Sequence, residues 1–586
     1  MKPPIALRLL PALGLAAIFG AVLARKVGDF DLPWHIANGK IIVATHAIPR
    51  IDDLAYTHRP VEHIDLLSEV PFYAIHHAFG ALGLQLFTAA LSVATALVLW
   101  TTVKKEGPAA WLSVALAMAA MSAWLLARPA TIGFLFLALA MMLISRHRDE
   151  AGEPTRGRRA LYALPPLLFL WANTHPSVFL GAVIVLGYAG YRGLCWFARG
   201  RAGALLPEED GTEAKVTAAL AVASVAAVLI NPGFTKVLLG PLRAEADFHL
   251  VTEWTKPTLA FITTVEPATG LVLLVAVIAL LFGSGPKGRV PNAYDIGIVL
   301  LAFVLSRTAA RLLAVGALML TPFIARRIAS FVRPSTLMQA CAGASLILVA
   351  PIMLVKSDVG LGIGFEESHY PESAVLWIQK NKPAGHMYNF MPFGGYLAMR
   401  LHPEQRVLID GRQAFVHGHE LAEKVEKADV DPATLTALFA EYQIEWAITR
   451  SREGESFGST LAHSRELALV YFDDVAAIYV KKEGPNAELA RAGYVAFKHL
   501  MPLEVPLRDA VQGRGAEAWS HDGALAATQA PRSPRAHFLD ACGAIAVVDR
   551  PRFDKALQRI GEVAPSAANI IAVLQGAWNQ RSGAPR

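Results

Sequence analysis

The sequence predicts a polytopic α-helical membrane protein with a small extracytoplasmic α/β domain towards its C-terminus. Three observations predict it. Apolar residues gather into long runs, among them 9–23, 82–100, 111–127, 216–230, 271–282 and 337–355. Charge is scarce: 17% of residues are charged and 54% hydrophobic, where soluble domains carry about a quarter charged, and the mean hydropathy is +0.40. Beyond Lys356 the composition becomes that of a soluble domain.

The apolar runs read as helices because only a helix satisfies its own backbone in lipid. About eleven spans are expected, near 7–24, 70–103, 108–127, 130–145, 160–176, 178–198, 214–231, 266–283, 293–306, 311–325 and 337–355. With a cytoplasmic N-terminus, the loops at Lys104–Lys105, 146–159, 199–201, 287–289 and 326–333 fall inside and are basic, as orientation by positive charge requires. The segments 25–69 and 231–266, and everything after Lys356, then lie outside. The net charge of +6 belongs to those inner loops, so nucleic acid is not an expected partner. Lys2, Arg8 and the run 9–23 form an uncleaved first helix, since no small-residue cleavage site precedes Arg25. Cys195, Cys341 and Cys542 lie too far apart for a disulfide framework or a CxxC metal site.

The transmembrane domain takes 1–356 and the α/β domain 365–483. In the latter, 371–381 and 433–442 have helical spacing. Strands are expected at 387–390, 407–409, 445–449, 467–472 and 476–480, with Asp473-Asp474 as a turn. Residues 484–536, rich in Pro, Gly and Arg, read as linker. Residues 537–578 carry two weak helical patterns split by Pro551, one hairpin that does not by itself establish a repeat.

The external segment 25–69 is far longer than a connector needs. It holds seven acids (Asp29, Asp31, Asp52, Asp53, Glu62, Asp65 and Glu69) and four histidines (His35, His46, His58 and His63). Asp31 is the expected N-cap of a helix whose body runs from Trp34 to Ala44, with Pro33 in its first turn. Asp31 and His35 then share a face. Trp34, Ile41 and Ile42 would rest on the bilayer interface. For any single acid, capping or surface filling is the plainer reading; seven together suit a metal or a proton.

The run Asp29-Phe-Asp31-Leu-Pro33-Trp34-His35-Ile-Ala-Asn-Gly39, followed by Ile48-Pro49-Arg50-Ile-Asp52-Asp53-Leu-Ala55-Tyr56-Thr57, resembles the opening loop of a large bacterial membrane-protein family. That family's pattern is D-x-D-x-W-W-H-x-x-x-G, then P-R-x-D-x-x-S-Y-T. It is grouped with GT-C glycosyltransferases, whose relatives include oligosaccharyltransferase catalytic subunits and protein mannosyltransferases. Trp171-Ala-Asn173-Thr-His175, Asn231-Pro-Gly233, Glu253-Trp254-Thr-Lys-Pro257, Arg307 to Pro322, Tyr370-Pro371 and Ile409-Asp410-Gly411-Arg412 extend the likeness over most of 1–482. Pro33 and Ala55 depart from the pattern, and Val61-Glu62-His63-Ile64-Asp65 follows it only loosely.

The resemblance implies a GT-C-like fold in a bacterial inner membrane and sugar transfer from a polyprenyl-phosphate donor to a glycan, lipid or protein acceptor on the outer face. Such transfer needs a base for the acceptor hydroxyl, cations for the leaving phosphate and a groove open to lipid. Asp31 is the candidate base. Asp29 and Asp52 are its alternates, and all three are candidate ligands of a divalent metal such as Mg or Mn. His35 and His175 are candidates for sugar hydroxyls, Arg307 and Arg311 for the phosphate, and Trp254, on a lid near 248–257, for stacking on a sugar. An intramembrane arginine is costly and often functional, though snorkelling to headgroups is the plain alternative. Arg128, beside Pro129, reads as such an anchor, and Asp410-Gly411-Arg412 as a turn with a local ion pair.

No P-loop, GxGxxG, GxSxG or HExxH pattern points to another enzyme class. The departures at Pro33 and Ala55 keep a second reading open, a non-catalytic envelope protein whose outer domain serves surface assembly. A transporter ranks below both, because no broken helices recur in two halves.

Overall fold

The apolar runs of the sequence do become helices. The computed structural model describes residues 5–62, 65–149, 154–236, 238, 255–281, 291–331, 335–412, 416–451 and 457–583. It divides into two units: Met1–Ile48 with Glu62–Phe365, and Pro49–Val61 with Glu366–Arg586.

Unit 1 is helical. Its helices are α1 (Ile5–Leu23), α2 (Leu32–Thr45), α3 (Leu66–Val103), α4 (Pro108–Met121), α5 (Pro129–Asp149), α6 (Pro154–Leu161), α7 (Leu164–Ala172), α8 (Val178–Ala198), α9 (Gly211–Val228), α10 (Pro267–Leu281), α11 (Ala293–Thr308), α12 (Leu312–Phe331) and α13 (Thr336–Val355). Each predicted span overlaps one of them. Among the described residues, six helices are long and apolar enough to cross a membrane: Leu66–Glu106, Pro129–Arg148, Val178–Ala198, Gly211–Val228, Leu312–Phe331 and Thr336–Val355. The protein is thus a multi-pass membrane protein. The span expected at 160–176 is broken instead. Its main helix, α7, has nine residues, about 14 Å at 1.5 Å per residue, half the thickness of a hydrocarbon core. α3 is interrupted at Gly80, whose φ of 59° and ψ of −150° are open to glycine. Asp295 ties three helices together, accepting from Arg148 of α5 at 2.9 Å and Arg326 of α12 at 2.8 Å.

Unit 2 holds a four-stranded sheet of β1 (His386–Asn389), β2 (Ile444–Arg450), β3 (Leu467–Phe472) and β4 (Ala476–Lys481) in the order β1-β2-β4-β3. The β1–β2 pair is parallel and the other two pairs are antiparallel. The β3–β4 hairpin turns at Asp473, whose carboxylate accepts the backbone N–H of Val475 and Ala476 at 2.8 and 2.7 Å. The strand expected at 407–409 is only a bridge, in which Val407 pairs with Ala55. Helices α14 (Glu372–Asn381), α15 (Met391–Leu401), α16 (His419–Ala428), α17 (Pro432–Glu441) and α18 (Ser459–His463) complete the α/β part.

The expected linker 484–536 is largely helical. It carries α19 (Ala487–Arg491), α20 (Glu504–Gln512) and α21 (Ala516–Gln529), followed by α22 (Pro534–Val547), α23 (Arg550–Val563) and α24 (Ala568–Ser582). Several of the prolines and glycines of this stretch sit at helix ends. Pro534 and Pro551 occupy first-turn positions after the caps Ser533 and Asp549, and Gly513 is left-handed after α20. Ala516 to Arg550 and Pro534 to Ala568 are both steps of 34 residues, the length of a helix–turn–helix repeat. The region expected as a single hairpin, 537–578, thus holds three helices, α22 to α24, which with α21 make two successive helix pairs.

Candidate functional site

The candidate site is assembled where the start of α2, the start of α3, the residues before α5 and the α7–α8 turn meet in unit 1. Asp29 organises the start of α2. Its Oδ1 accepts the backbone N–H of Asp31 at 3.0 Å and of Leu32 at 3.1 Å. The capping expected of Asp31 therefore belongs to Asp29. Asp31 already has helical backbone (φ −86°, ψ −33°) and makes no side-chain cap. Its Oδ1 accepts the Trp34 indole N–H at 3.3 Å instead. Trp34 thus leans on Asp31 and on the His35 ring, 3.5 Å away between centroids, and the half of α2 from Leu32 to Gly39 is largely buried. Trp34 itself is half-buried, as are Ile41 and Ile42.

The second oxygen of Asp29 accepts from Arg128 at 3.3 Å, and both residues are buried. Arg128 also lies 5.8 Å from the centre of the Trp124 ring. The anchor expected to snorkel is therefore turned inward, onto the acid two residues before Asp31. The signal in the sequence was an arginine between an apolar run and Pro129.

His175 sits in the turn between α7 and α8. Its Nδ1 accepts the Ser177 backbone N–H at 3.1 Å and lies 2.8 Å from Ser177 Oγ, which itself accepts the Trp171 indole N–H at 2.9 Å. These contacts make Nδ1 an acceptor, so the neutral ring carries its proton on Nε2. Burial first, then the positive charges of Arg311 and Arg128, push the imidazole down to about 3. His175 is thus a neutral N–H donor in the field of two guanidinium charges. Arg311 comes from the corner between α11 and α12, almost two hundred residues from Arg128. At that corner Arg307 is exposed and donates to the Pro257 carbonyl at 2.8 Å. Trp254, and the proposed lid at 248–257 up to that residue, lie outside the described residues.

Three carboxylates gather at the α2–α3 side. Asp65 immediately precedes α3. Burial, then the charges of Glu69 and Asp31, hold its carboxyl well above the usual range, which favours the protonated acid. Glu69 is buried and accepts from Asn38 of α2 at 2.8 Å. The Leu67 backbone N–H donates to the Asn173 carbonyl at 2.7 Å, joining α3 to the end of α7. The effect of Asp31 on Asp65 joins residues thirty-four positions apart, which local sequence pattern does not carry.

Asp52 is elsewhere. It belongs to unit 2, where its two oxygens accept from Arg412 at 2.8 and 3.0 Å and it is 2% exposed. This pairing removes Asp52 from the candidate bases. Asp410-Gly411-Arg412 is likewise more than a local turn, because Arg412 reaches Asp52 as well as Asp410.

No family model matches the chain, and no curated relative does. Solved structures do. An oligosaccharyltransferase of Archaeoglobus fulgidus, tethered to an acceptor peptide, aligns with a TM-score of 0.51 at 10% identity, covering 80% of this chain and 74% of its own. Its apo form gives 0.50 at 10%, covering 81% and 74%. AglB of the same organism, in complex with an inhibitory peptide and a dolichol-phosphate, gives 0.51 at 12%, covering 75% and 69%. The chain has a GT-C-like fold. Within that GT-C-like frame the metal set implied by the first loop does not fit. Asp29 has both oxygens engaged by N–H donors and Asp52 is held by Arg412. Among the described residues, no three of His, Cys, Asp or Glu converge as a metal site.

Proposed function

We propose that this GT-C-like protein transfers a sugar from a polyprenyl-phosphate carrier to an extracytoplasmic acceptor, at the outer face of a bacterial inner membrane. The observation that carries the reading is the convergence in unit 1. Arg128 pairs with Asp29, two residues from Asp31, while Arg128 and Arg311 both act on His175. The dolichol-phosphate of the AglB structure and the acceptor peptide of the oligosaccharyltransferase support the class of donor and acceptor.

The chemistry follows from these groups. The Asp31 carboxylate takes the proton of the acceptor hydroxyl. The freed oxygen attacks the anomeric carbon as the bond from that carbon to the phosphate oxygen breaks, with inversion. The charge that collects on the departing lipid phosphate is met by Arg128 and Arg311 and by the Nε2–H of His175. A neutral histidine suits this role, since it donates a hydrogen bond and loses nothing to protonation near neutral pH.

The test is Asp31→Asn in purified protein supplied with polyprenyl-phosphate sugars. Transfer should fall at least about 10²-fold, as expected for losing a general base, with the melting temperature unchanged. Undiminished transfer would remove Asp31 from the mechanism.

A further inference from the structure

The turn after α7 carries one continuous chain of hydrogen bonds. Trp171, next to last in α7, donates its indole N–H to Ser177 Oγ at 2.9 Å. Ser177 Oγ lies 2.8 Å from His175 Nδ1, and the Ser177 backbone N–H donates to the same nitrogen at 3.1 Å. The backbone closes around this chain, with the His175 N–H on the Trp171 carbonyl at 2.9 Å and the Val178 N–H on the His175 carbonyl at 3.2 Å.

The polarity of the chain is fixed at both ends. An indole N–H can only donate, and so can a backbone N–H. Ser177 Oγ therefore receives the Trp171 proton and turns its own O–H towards Nδ1. A proton on Nδ1 would meet the Ser177 backbone N–H head-on. One neutral arrangement is left, with Nδ1 the acceptor and Nε2 the donor. Ser177 also stands at the N-cap of α8, where a serine side chain ordinarily accepts from the helix. Here it makes no such cap. Its hydroxyl is spent on His175 instead.

Packing holds these groups in place. Trp171 is fully buried. Phe136 of α5 stacks on it with ring centres 6.0 Å apart, and a Cβ at Gly181 of α8 would fall 2.6 Å from its Cζ3. A Cβ at Gly133 of α5 would fall 2.6 Å from Ser177 Oγ and 3.6 Å from both His175 Nδ1 and the indole nitrogen. Only glycine lets α5 approach the hydroxyl so closely. His175 is half-buried, and among the described residues its Nε2 has no hydrogen-bond partner.

We propose that Ser177 is a positioning residue: it passes the one-way polarity of the Trp171 indole on to His175 and so holds the ring as an Nε2–H donor for the departing lipid phosphate. The inference deepens the transferase reading and rests on it for turnover, but the state of the ring is independent of it.

The test uses the full-length protein in nanodiscs, with its histidines labelled with ¹⁵N and the His175 signals assigned by their loss in His175→Asn. At pH 7 the parent should show Nδ1 without a proton and Nε2 with one. Ser177→Asp keeps a good N-cap residue but puts an acceptor where the donor was, so Nδ1 should become protonated. Ser177→Ala should lower kcat roughly tenfold or more, as when a functional histidine loses a partner that orients it, and Ser177→Asp at least as much. Ser177→Thr keeps the hydroxyl and should restore both the parent spectrum and most of the turnover lost in Ser177→Ala. A parent with the proton on Nδ1, or Ser177→Asp with Nδ1 still bare, overturns the proposal whether or not transfer is detected. The expected spectra with kcat unchanged in Ser177→Ala and Ser177→Asp also overturn it, because the ring would then be held for no part in turnover. Absence of transfer in the parent defeats the transferase reading alone, and the spectra still decide whether Ser177 sets the ring.

Discussion

Gly39 is where the fit of α2 on α3 is most exposed to a single change. A Cβ built there falls 2.2 Å from the Glu69 carbonyl oxygen, 2.8 Å from its carbon and 2.7 Å from Tyr73 Cβ. Two of these atoms are backbone, so no rotamer relieves them. Gly39→Ala must push α3 away until the 2.2 Å contact reaches about 3.4 Å, the start of ordinary packing. Overpacking of this kind costs about 1–3 kcal/mol. The shift also pulls on the buried hydrogen bond from Asn38 to Glu69, 2.8 Å long, and hydrogen bonds to charged groups contribute about 1.5–3 kcal/mol. Together they amount to roughly 3–6 kcal/mol, or about 10²–10⁴ in the folded ratio. The control is Gly20→Ala in α1, whose Cβ would meet nothing within 4 Å and which gains helix propensity. Thermal unfolding in detergent should place Gly39→Ala below Gly20→Ala by on the order of 10 °C, with transfer lost in the former only. Equal melting temperatures would refute the close packing of α2 on α3 and the carboxylate arrangement that depends on it.

Other perturbations test single contacts. Asp65→Asn should stabilise unit 1 at neutral pH. A carboxyl raised in the folded state binds its proton more tightly there, so its contribution is favourable below its ordinary value of about 3.9 and is lost as pH rises towards the folded value. Melting curves of the variant and the parent should converge below about pH 4 and separate above it. His175 has the opposite sign. Its folded value of about 3 against an ordinary ~6.5 means stability falls with acidification across that window, and His175→Asn should remove that part of the loss. In unit 2, Gly523→Val would set a Cβ 2.6 Å from the Leu539 carbonyl oxygen, prying α21 from α22. A loss of about 1–3 kcal/mol, read as a shifted urea midpoint for unit 2, is expected.

The spans were legible because lipid leaves the chain so few choices. Residues 178–198 and 467–472 were bounded to the residue by hydropathy and alternation. The acids of the first loop were legible as a group, but not their division. Asp29 and Asp31 stay with the helical unit while Asp52 and Asp53 go to unit 2, because Ala55 pairs with a residue some 350 positions away and no local signal announces such a partner. Arg128 was misread for a related reason. A lone arginine at a span end looks like a headgroup anchor until the acid it faces is known. The tail was misread because proline and glycine mark helix ends as readily as linkers, and only packing tells them apart.

The central claim is that the acids after the first helix and the arginines of distant helix ends serve one lipid-phosphate substrate. The most direct measurement is an experimental structure of the protein in nanodiscs with a bound polyprenyl phosphate. The account predicts the phosphate within hydrogen-bonding reach of Arg311 or Arg128 and of His175 Nε2, on the side that carries Asp31. A phosphate held elsewhere, with Arg128 and Arg311 both distant from it, would contradict the account and leave only the fold.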